Sequence, residues 1–499
     1  MPKRERMIDA TAPSASAVDD VAKTAAHDDS PPQPLLDFMI TGWAAPSSVP
    51  EPIEGADRFR ARRDRLSALF PNDILIVPTG HEKVRANDTL FRFRPGTDFY
   101  YLTGNVEPDC VLLMTPRGGG SHETTMFVEP NPGKTDTTFF TDRSKGELWV
   151  GPRLGVPESA TRYGIATLAL PELAGRLTSA VAFRSGGTGT ARVLRAVDAG
   201  LDAAVPARHE EDRAFAAALS EMRLIKDAYE IDLLQGAIDS TQRAFEDVVR
   251  VLPVAASERY VEGIFALRAR VEGNDVGYGT IAASGSHACT LHWTKNDGEL
   301  RAGDLLLLDA GVEANTLYTA DVTRTIPLNG TYTREQREIY DLVYAAQEAG
   351  FAACEPGNDF MAPNAAAMNV LAHGLERLGI LAMPAEEALR ETNQFYKRYS
   401  LHGVSHMLGL DVHDCAQARK ETYRYGKLAA GMCLTVEPGL YFQTDDLTVP
   451  ERYRGIGVRI EDDVVITESG YRNLSAGLPR ASADVEAWMR RLGESPSRF

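Results

Sequence analysis

Residues 305–327 read LLLLDAGVEANTLYTADVTRTIP. Four leucines open the stretch and predict a buried strand ending on Asp309. Ala314-Asn315-Thr316 predicts a turn, and Asp321-Val322-Thr323-Arg324-Thr325-Ile326 alternates polar and apolar residues as a second strand. Folded as a hairpin, the stretch brings Asp309 and Asp321 together. Two carboxylates at the core end of apolar strands repel each other and are poorly solvated, so such a pair shares a proton or holds a cation. Two solvated turn aspartates are the alternative. Arg324, flanked by Thr323 and Thr325, offers hydrogen bonds that fix carboxylates and directs attention downstream.

Three further places supply ligand types. One is His402-Gly403-Val404-Ser405-His406 with Gly409-Leu410-Asp411-Val412-His413-Asp414. Another is Leu434-Thr435-Val436-Glu437-Pro438-Gly439-Leu440-Tyr441, and the last is Gly455-Ile456-Gly457-Val458-Arg459-Ile460-Glu461-Asp462-Asp463. In these blocks the chain resembles the pita-bread metallopeptidases, most nearly the Xaa-Pro aminopeptidases (aminopeptidase P), with prolidase a close relative. The resemblance implies metal ligands at Asp309, Asp321, His406, Glu437 and Glu461. It implies two divalent ions, with Mn²⁺ expected and Co²⁺ or Zn²⁺ compatible with four carboxylates and an imidazole. Asp321 and Glu461 are then expected to bridge both ions, Asp309 to hold one, and His406 with Glu437 the other.

Further roles follow from the same resemblance. His292 is expected to touch substrate, and His413 to stabilise the substrate carbonyl as it becomes an oxyanion. His402 is expected near the site, and Glu437 to shuttle a proton. Arg459, two residues before Glu461 and on the same strand face, is expected to orient carboxylates through bidentate hydrogen bonds. Structural hydrogen bonding is the alternative for His292, His402, His413 and Arg459. Asp462 and Asp463 read as solvated or structural neighbours, not ligands. No organic cofactor site is expected.

At 499 residues the chain is too long for one ordinary core, so two domains are expected. A hydrophobic content of 43% with 25% charged residues suits a soluble globular protein. A net charge of −17 with no basic stripe argues against nucleic-acid binding. No apolar run is long enough to span a bilayer. The start, MPKRERMIDATAPSASAVDD, has basic residues but no apolar segment after them, which excludes a Sec signal peptide. The five scattered cysteines form no CxxC or zinc spacing and suit a reduced, cytoplasmic protein.

Three segments are expected. Residues 1–56, rich in Ala, Ser, Pro and Asp, form a disordered or loosely docked tail, with a short helical piece around Leu35, Leu36 and Met39. Residues 57–218 form an α/β domain. Its expected elements are a helix over 58–70 and strands at 74–77, 110–114, 125–128 and Val181-Ala182-Phe183. Gly118-Gly119-Gly120 and Gly186-Gly187 fall in loops without a GxGxxG pattern. The strings 98–104 and 149–155 resemble the amino-terminal domain of the same aminopeptidases. In that family the domain helps shape the site, sometimes a neighbouring subunit's, which raises Tyr100 as a participant.

Residues 219–499 form the catalytic domain. Helices are expected over 229–252, ended by Pro253, over 257–272, from the capping box Thr333-Arg334-Glu335-Gln336, and from Pro363. The expected class is α+β, and the resemblance implies a curved antiparallel sheet with helices on its outer surface. The expected activity is release of the N-terminal residue from peptides with proline second, by attack of a metal-bridging hydroxide on the Xaa-Pro amide. Prolidase is the alternative. Methionine aminopeptidase normally lacks the amino-terminal domain. A metal-free binding protein or creatinase-like enzyme would have lost ligands, and all five positions are filled here. Expected partners are such peptides and further copies of the chain, as a dimer or tetramer, with no nucleic acid or membrane.

Overall fold

A computed structural model describes residues 31–44, 50–87, 89–184 and 189–494. The stretch 1–30 and the Gly186-Gly187 pair lie outside the described residues. The chain divides into two compact units, Met1–Leu219 and Ser220–Phe499.

The first unit opens with α1 (Gln33–Met39), a short helix with no buried residue. Beyond it Trp43 sits 6.3 Å from the Phe139 ring, with the Lys134 ammonium 4.8 Å above the indole. Then come α2 (Ala56–Leu69), β1 (Ile74–Pro78), α3 (Thr97–Thr103), β2 (Val111–Gly118), β3 (Ser121–Val128), β4 (Ala166–Ala169), α4 (Leu173–Arg184) and β5 (Ala191–Val193). The sheet runs β4-β3-β2-β1-β5. Its centre is antiparallel, with Ile76 opposite Leu113, and its edges β5 and β4 are parallel to their neighbours. β1 is a continuous apolar run buried along its whole length, as a strand covered on both faces must be.

One expected strand is not found: Val181-Ala182-Phe183 lies in α4. Leu173 and Leu177, four apart, are both buried in the core, and that helical period outweighs the local β preference of a valine and a phenylalanine. The strand position is taken by β5 instead. Tyr100, on α3, is buried with its ring edge-on to Phe59 at 6.1 Å, so it is a core side chain of this unit.

The second unit begins with α5 (Ala228–Val251) and α6 (Glu258–Glu272), capped by Asp227 and Ser257. A three-stranded antiparallel sheet follows in the order β8-β7-β6, from β6 (Ile281–Ser284), β7 (Leu305–Ala310) and β8 (Val322–Pro327). The connection from β7 to β8 turns at Ala314–Leu317, where the Leu317 amide donates to the Ala314 carbonyl at 2.8 Å and Leu317 takes φ +64°. In register, Asp309 faces Thr323 on one side and Ile281 on the other. Gly311 is required just past Asp309, because a Cβ there would lie 1.6 Å from the Ala320 carbonyl oxygen.

Helix α7 (Arg334–Ala352) starts on the expected box, with Thr333 Oγ1 accepting from the Gln336 amide and Gln336 Oε1 from the Thr333 amide. It packs on α8 (Ala362–Arg377). Two further antiparallel sets complete the unit: β9 (Cys433–Val436) with β12 (Asp462–Thr467) and β13 (Gly470–Asn473), and β10 (Gly439–Tyr441) with β11 (Gly457–Arg459). The chain then forms α9 (Ser482–Gly493). A single bridge, Thr323 to Glu461, ties β8 to the residue before β12. Among the described residues no helix is long and apolar enough to cross a membrane.

Candidate metal centre

The alternation of β7 decides where its acid points. Leu306, Leu308 and Ala310 enter the main core, while Leu307 packs on the opposite face with Ile281 and Ala283. Asp309 shares the face of Leu307, and across the ladder that face continues through Thr323 and Thr325. Asp321 stands one residue before β8. Glu461 reaches them through the isolated bridge, where Thr323 Oγ1 donates to Glu461 Oε2 at 2.6 Å. His406 is placed by its amide on Thr435 Oγ1 at 3.2 Å, and the Glu437 amide donates to the Val404 carbonyl at 2.8 Å.

One ligand atom each from Asp321, His406 and Glu461 lies within 4.8 Å of the other two. His406 Nε2 is 3.3 Å from Asp321 Oδ2 and 3.4 Å from Glu437 Oε1. Asp309 joins the group through Tyr278, whose hydroxyl bonds Asp309 Oδ1 at 2.6 Å and also reaches Asp321 Oδ1. All five expected ligand positions therefore converge, with the first three in a tight cluster and Glu437 and Asp309 on its flanks.

Arg459 is buried beside them. It does not grip one carboxylate with two donors: Nη2 donates to Asp309 Oδ2 at 2.5 Å, Nη1 to the Tyr441 hydroxyl at 2.8 Å and Nε to Thr323 Oγ1 at 3.3 Å. Its three partners lie on three different strands, β7, β8 and β10. His402 Nε2 bonds the same Tyr441 oxygen at 2.8 Å, and its Nδ1 lies 3.6 Å from Glu437 Oε2. The His413 ring stands edge-on to His406, with centroids 4.3 Å apart. His292 and His413 are exposed, and the His292 charge acts on both His402 and His413. Trp293 next to His292 is turned away, its Nε1 on Glu258 Oε2 at 2.8 Å and its ring stacked on His287.

The electrostatics show an excess of negative charge. Burial, then the charges of Asp321, Glu437 and Asp309, pushes the Glu461 carboxyl well above its ordinary range. Burial raises Asp321 too, although His406 opposes it. Glu437 is pushed up to about 7, chiefly by burial. Burial would lower His406, but the bond to Asp321 and the charges of Glu437 and Asp321 win and raise it to about 9. Burial and the Arg459 charge lower His402 to about 4. A buried, mutually repelling set of oxygens with one imidazole nitrogen fits hard or borderline divalent cations, which supply the missing positive charge.

Asp462 and Asp463 are fully buried, not solvated, because β12 is the middle strand of its sheet. Asp462 pairs with the buried Arg324 at 2.9 Å, and Asp463 Oδ2 accepts the Asp321 amide at 3.0 Å. Arg324 also donates to the Glu461 carbonyl at 2.7 Å. Tyr278 and Tyr441 are the neighbours of the cluster that sequence reasoning missed, whereas Asp463 is a structural neighbour as read from the sequence. A signal for Tyr278 existed in its flanking glycines. A Cβ at Gly277 would meet Thr319 Cγ2 at 2.2 Å, so Gly-Tyr-Gly marks backbone pressed against the hairpin.

Comparison with known proteins agrees with this geometry. Residues 232–468 match the family described as metallopeptidase family M24, and residues 59–186 match the aminopeptidase P N-terminal domain. The chain is 54% identical over 466 residues to Xaa-Pro aminopeptidase 1 of Streptomyces coelicolor, covering 92% of each. It is 33% identical to the Xaa-Pro aminopeptidase of Escherichia coli over 446 residues, covering 86% of this chain and 97% of that one. Among solved structures, aminopeptidase P from E. coli with the inhibitor Pro-Leu matches with a TM-score of 0.79 at 31% identity, covering 89% of this chain and 100% of the other.

Proposed function

The chain belongs to metallopeptidase family M24, with an aminopeptidase P N-terminal domain ahead of a pita-bread catalytic domain, and from that premise we propose that this hydrolase releases the N-terminal residue of peptides with proline in second place. The observation that carries the reading is the convergence of Asp321, His406 and Glu461, with Glu437 and Asp309 beside them, in a largely buried cluster of excess negative charge.

Asp321 and Glu461 would hold two divalent ions in common, Asp309 one of them, and His406 with Glu437 the other; we propose Mn²⁺ as the native metal. When bound, such ions lower the pKa of water and polarise a carbonyl oxygen. Tyr278 and Arg459 fix the two oxygens of Asp309, so its carboxylate cannot rotate. Thr323 fixes one oxygen of Glu461 in the same way. Glu437 Oε2, facing His402 at 3.6 Å, would pass a proton to the proline nitrogen as it leaves. The nitrogen leaves as a neutral secondary amine, so a proton must reach it as the C–N bond breaks. His413, beside His406, and the exposed His292 would hydrogen-bond the substrate carbonyl. Five buried free cysteines suit a reducing compartment, and we place the chain in the cytoplasm.

The test is kcat/KM for Xaa-Pro-Yaa, Xaa-Pro and Xaa-Ala-Yaa with Mn²⁺ supplied. Xaa-Pro-Yaa is expected to be best, because a longer peptide needs no grip on a free proline carboxylate. A dipeptide preference of about tenfold, about 1.4 kcal/mol in transition-state terms, makes the chain a prolidase instead. Full turnover after exhaustive chelation rejects the metal reading.

A further inference from the structure

Outside the carboxylate cluster, the second unit buries one more group of charges. Asp414, 1% exposed, accepts from Arg223 Nε at 3.0 Å and from Lys226 Nζ at 3.1 Å. Both cations are themselves buried. Taking three charged groups out of water is strongly unfavourable before pairing offsets it. An apolar trio of similar volume would hold these segments together at lower cost, so the arrangement calls for a positional reason.

The reason lies in what Asp414 is attached to. Its own amide donates to the Met407 carbonyl at 3.0 Å, closing the segment 407–414 into a loop. His406 precedes that loop and His413 is its last residue before Asp414. Asp414 Oδ1 also accepts the Cys415 amide at 2.8 Å, and Cys415 takes φ +61°, a left-handed conformation held here by its surroundings. Gly409 is needed inside the loop, since a Cβ there would lie 2.3 Å from Asp414 Oδ2 and 2.9 Å from Lys226 Cε. Lys226 is anchored in turn: its amide donates to the Gly431 carbonyl at 2.9 Å. Without this anchor, His413 would rest on an exposed loop edge.

Resting on the functional reading above, the geometry points to Arg223 and Lys226, acting through Asp414, as positioning residues that hold His413 in its edge-on place against His406. Both bear on Asp414, which is not one of the proposed ligands. Burial alone would neutralise Asp414, and the two cations keep its carboxyl below its ordinary value. The anchor is therefore a charged clamp of fixed direction, which a hydrophobic contact would not give.

The experiment measures kcat and KM on an Xaa-Pro-Yaa peptide for the Mn²⁺-loaded full chain and for Lys226→Met, Asp414→Asn, His413→Ala and the double variant Lys226→Met/His413→Ala. Turnover is normalised to metal content. Misplacing a group by about 1 Å costs on the order of a hundredfold, so Lys226→Met and Asp414→Asn are expected to lower kcat by ten- to a hundredfold, with KM within about twofold. In the His413→Ala background the Lys226→Met change is expected to cost almost nothing further, because the group it positions is gone. Additive losses, or single variants with lowered thermal stability but unchanged kcat per metal-loaded chain, overturn the inference. Arg223→Gln removes one cation only and gives the same readout at smaller amplitude if Lys226→Met does not fold. A wild-type chain inactive on the peptide overturns the functional reading and this inference with it, whereas active wild type with unaffected variants overturns the inference alone.

Discussion

Tyr441 is held from two sides, by Arg459 Nη1 and by His402 Nε2, each at 2.8 Å. Tyr441→Phe leaves the buried Arg459 donor unmet, a cost of about 1–3 kcal/mol. The expected outcome is a lower Tm by calorimetry together with a fall in kcat, since both Arg459 and His402 lose their common reference. Asp321→Ala or Glu461→Ala is expected to abolish turnover and metal retention, measured by elemental analysis; a variant keeping two ions per chain contradicts the assignment. A pH effect belongs to the first unit. His81 bonds Asp109 at 2.5 Å and lies 3.3 Å from Asp198, and these hydrogen bonds raise it to about 10. A raised pKa means that its stabilisation is complete below the ordinary value near 6.5 and disappears as pH climbs through about 10. With the ring 38% exposed, solvent screening limits the gain to about 1 kcal/mol. His81→Asn is therefore expected to lower Tm at pH 6, less at pH 8, and not at all above pH 10. At this scale the five converging positions were legible because each sits in a short local motif. Tyr278 was not, because its partners lie 31 and 43 residues away and no local pattern encodes them.

The hairpin β7–β8 shows what an element contributes that a residue does not. Its side chains alternate with period two, so adding one residue within β8 turns Thr323 away from Glu461 and breaks the register beside Asp321. One glycine inserted between Val322 and Thr323 is expected to eliminate activity. The same glycine between Ala314 and Asn315, in the turn, is expected to leave kcat/KM within a few-fold, as turns absorb length changes. Activity retained by the strand insertion would show that the register is not the determinant. Thr333 caps α7, and Thr333→Ala is expected to cost about 1 kcal/mol, read from chemical denaturation, with little change in turnover. Such elements are readable because period and capping are local. Val181-Ala182-Phe183 misled because three apolar residues carry no period of their own, and the deciding signal, Leu173 with Leu177, lies upstream.

For the molecule as a whole, deletion of residues 1–30 is expected to leave both Tm and kcat unchanged. Deletion through residue 56 also removes Trp43 from Phe139 and Lys134 and the Ile53 amide from the Arg162 carbonyl. It is expected to lower the Tm of the first unit while catalysis persists; lost turnover in a folded truncation would tie the tail to the site. The carboxylate cluster depends on segments far apart in the chain. The bond from Thr323 to Glu461 spans 138 positions. During synthesis, Asp309 and Asp321 leave the ribosome many seconds before Glu461 at ordinary elongation rates. A nascent chain can complete the first unit in that interval but has no means of finishing the second. Pairings of such separation are also slow to form in refolding. An ion that binds only the finished cluster then stabilises by mass action, so cells short of metal would accumulate less protease-resistant enzyme while making the polypeptide at the same rate.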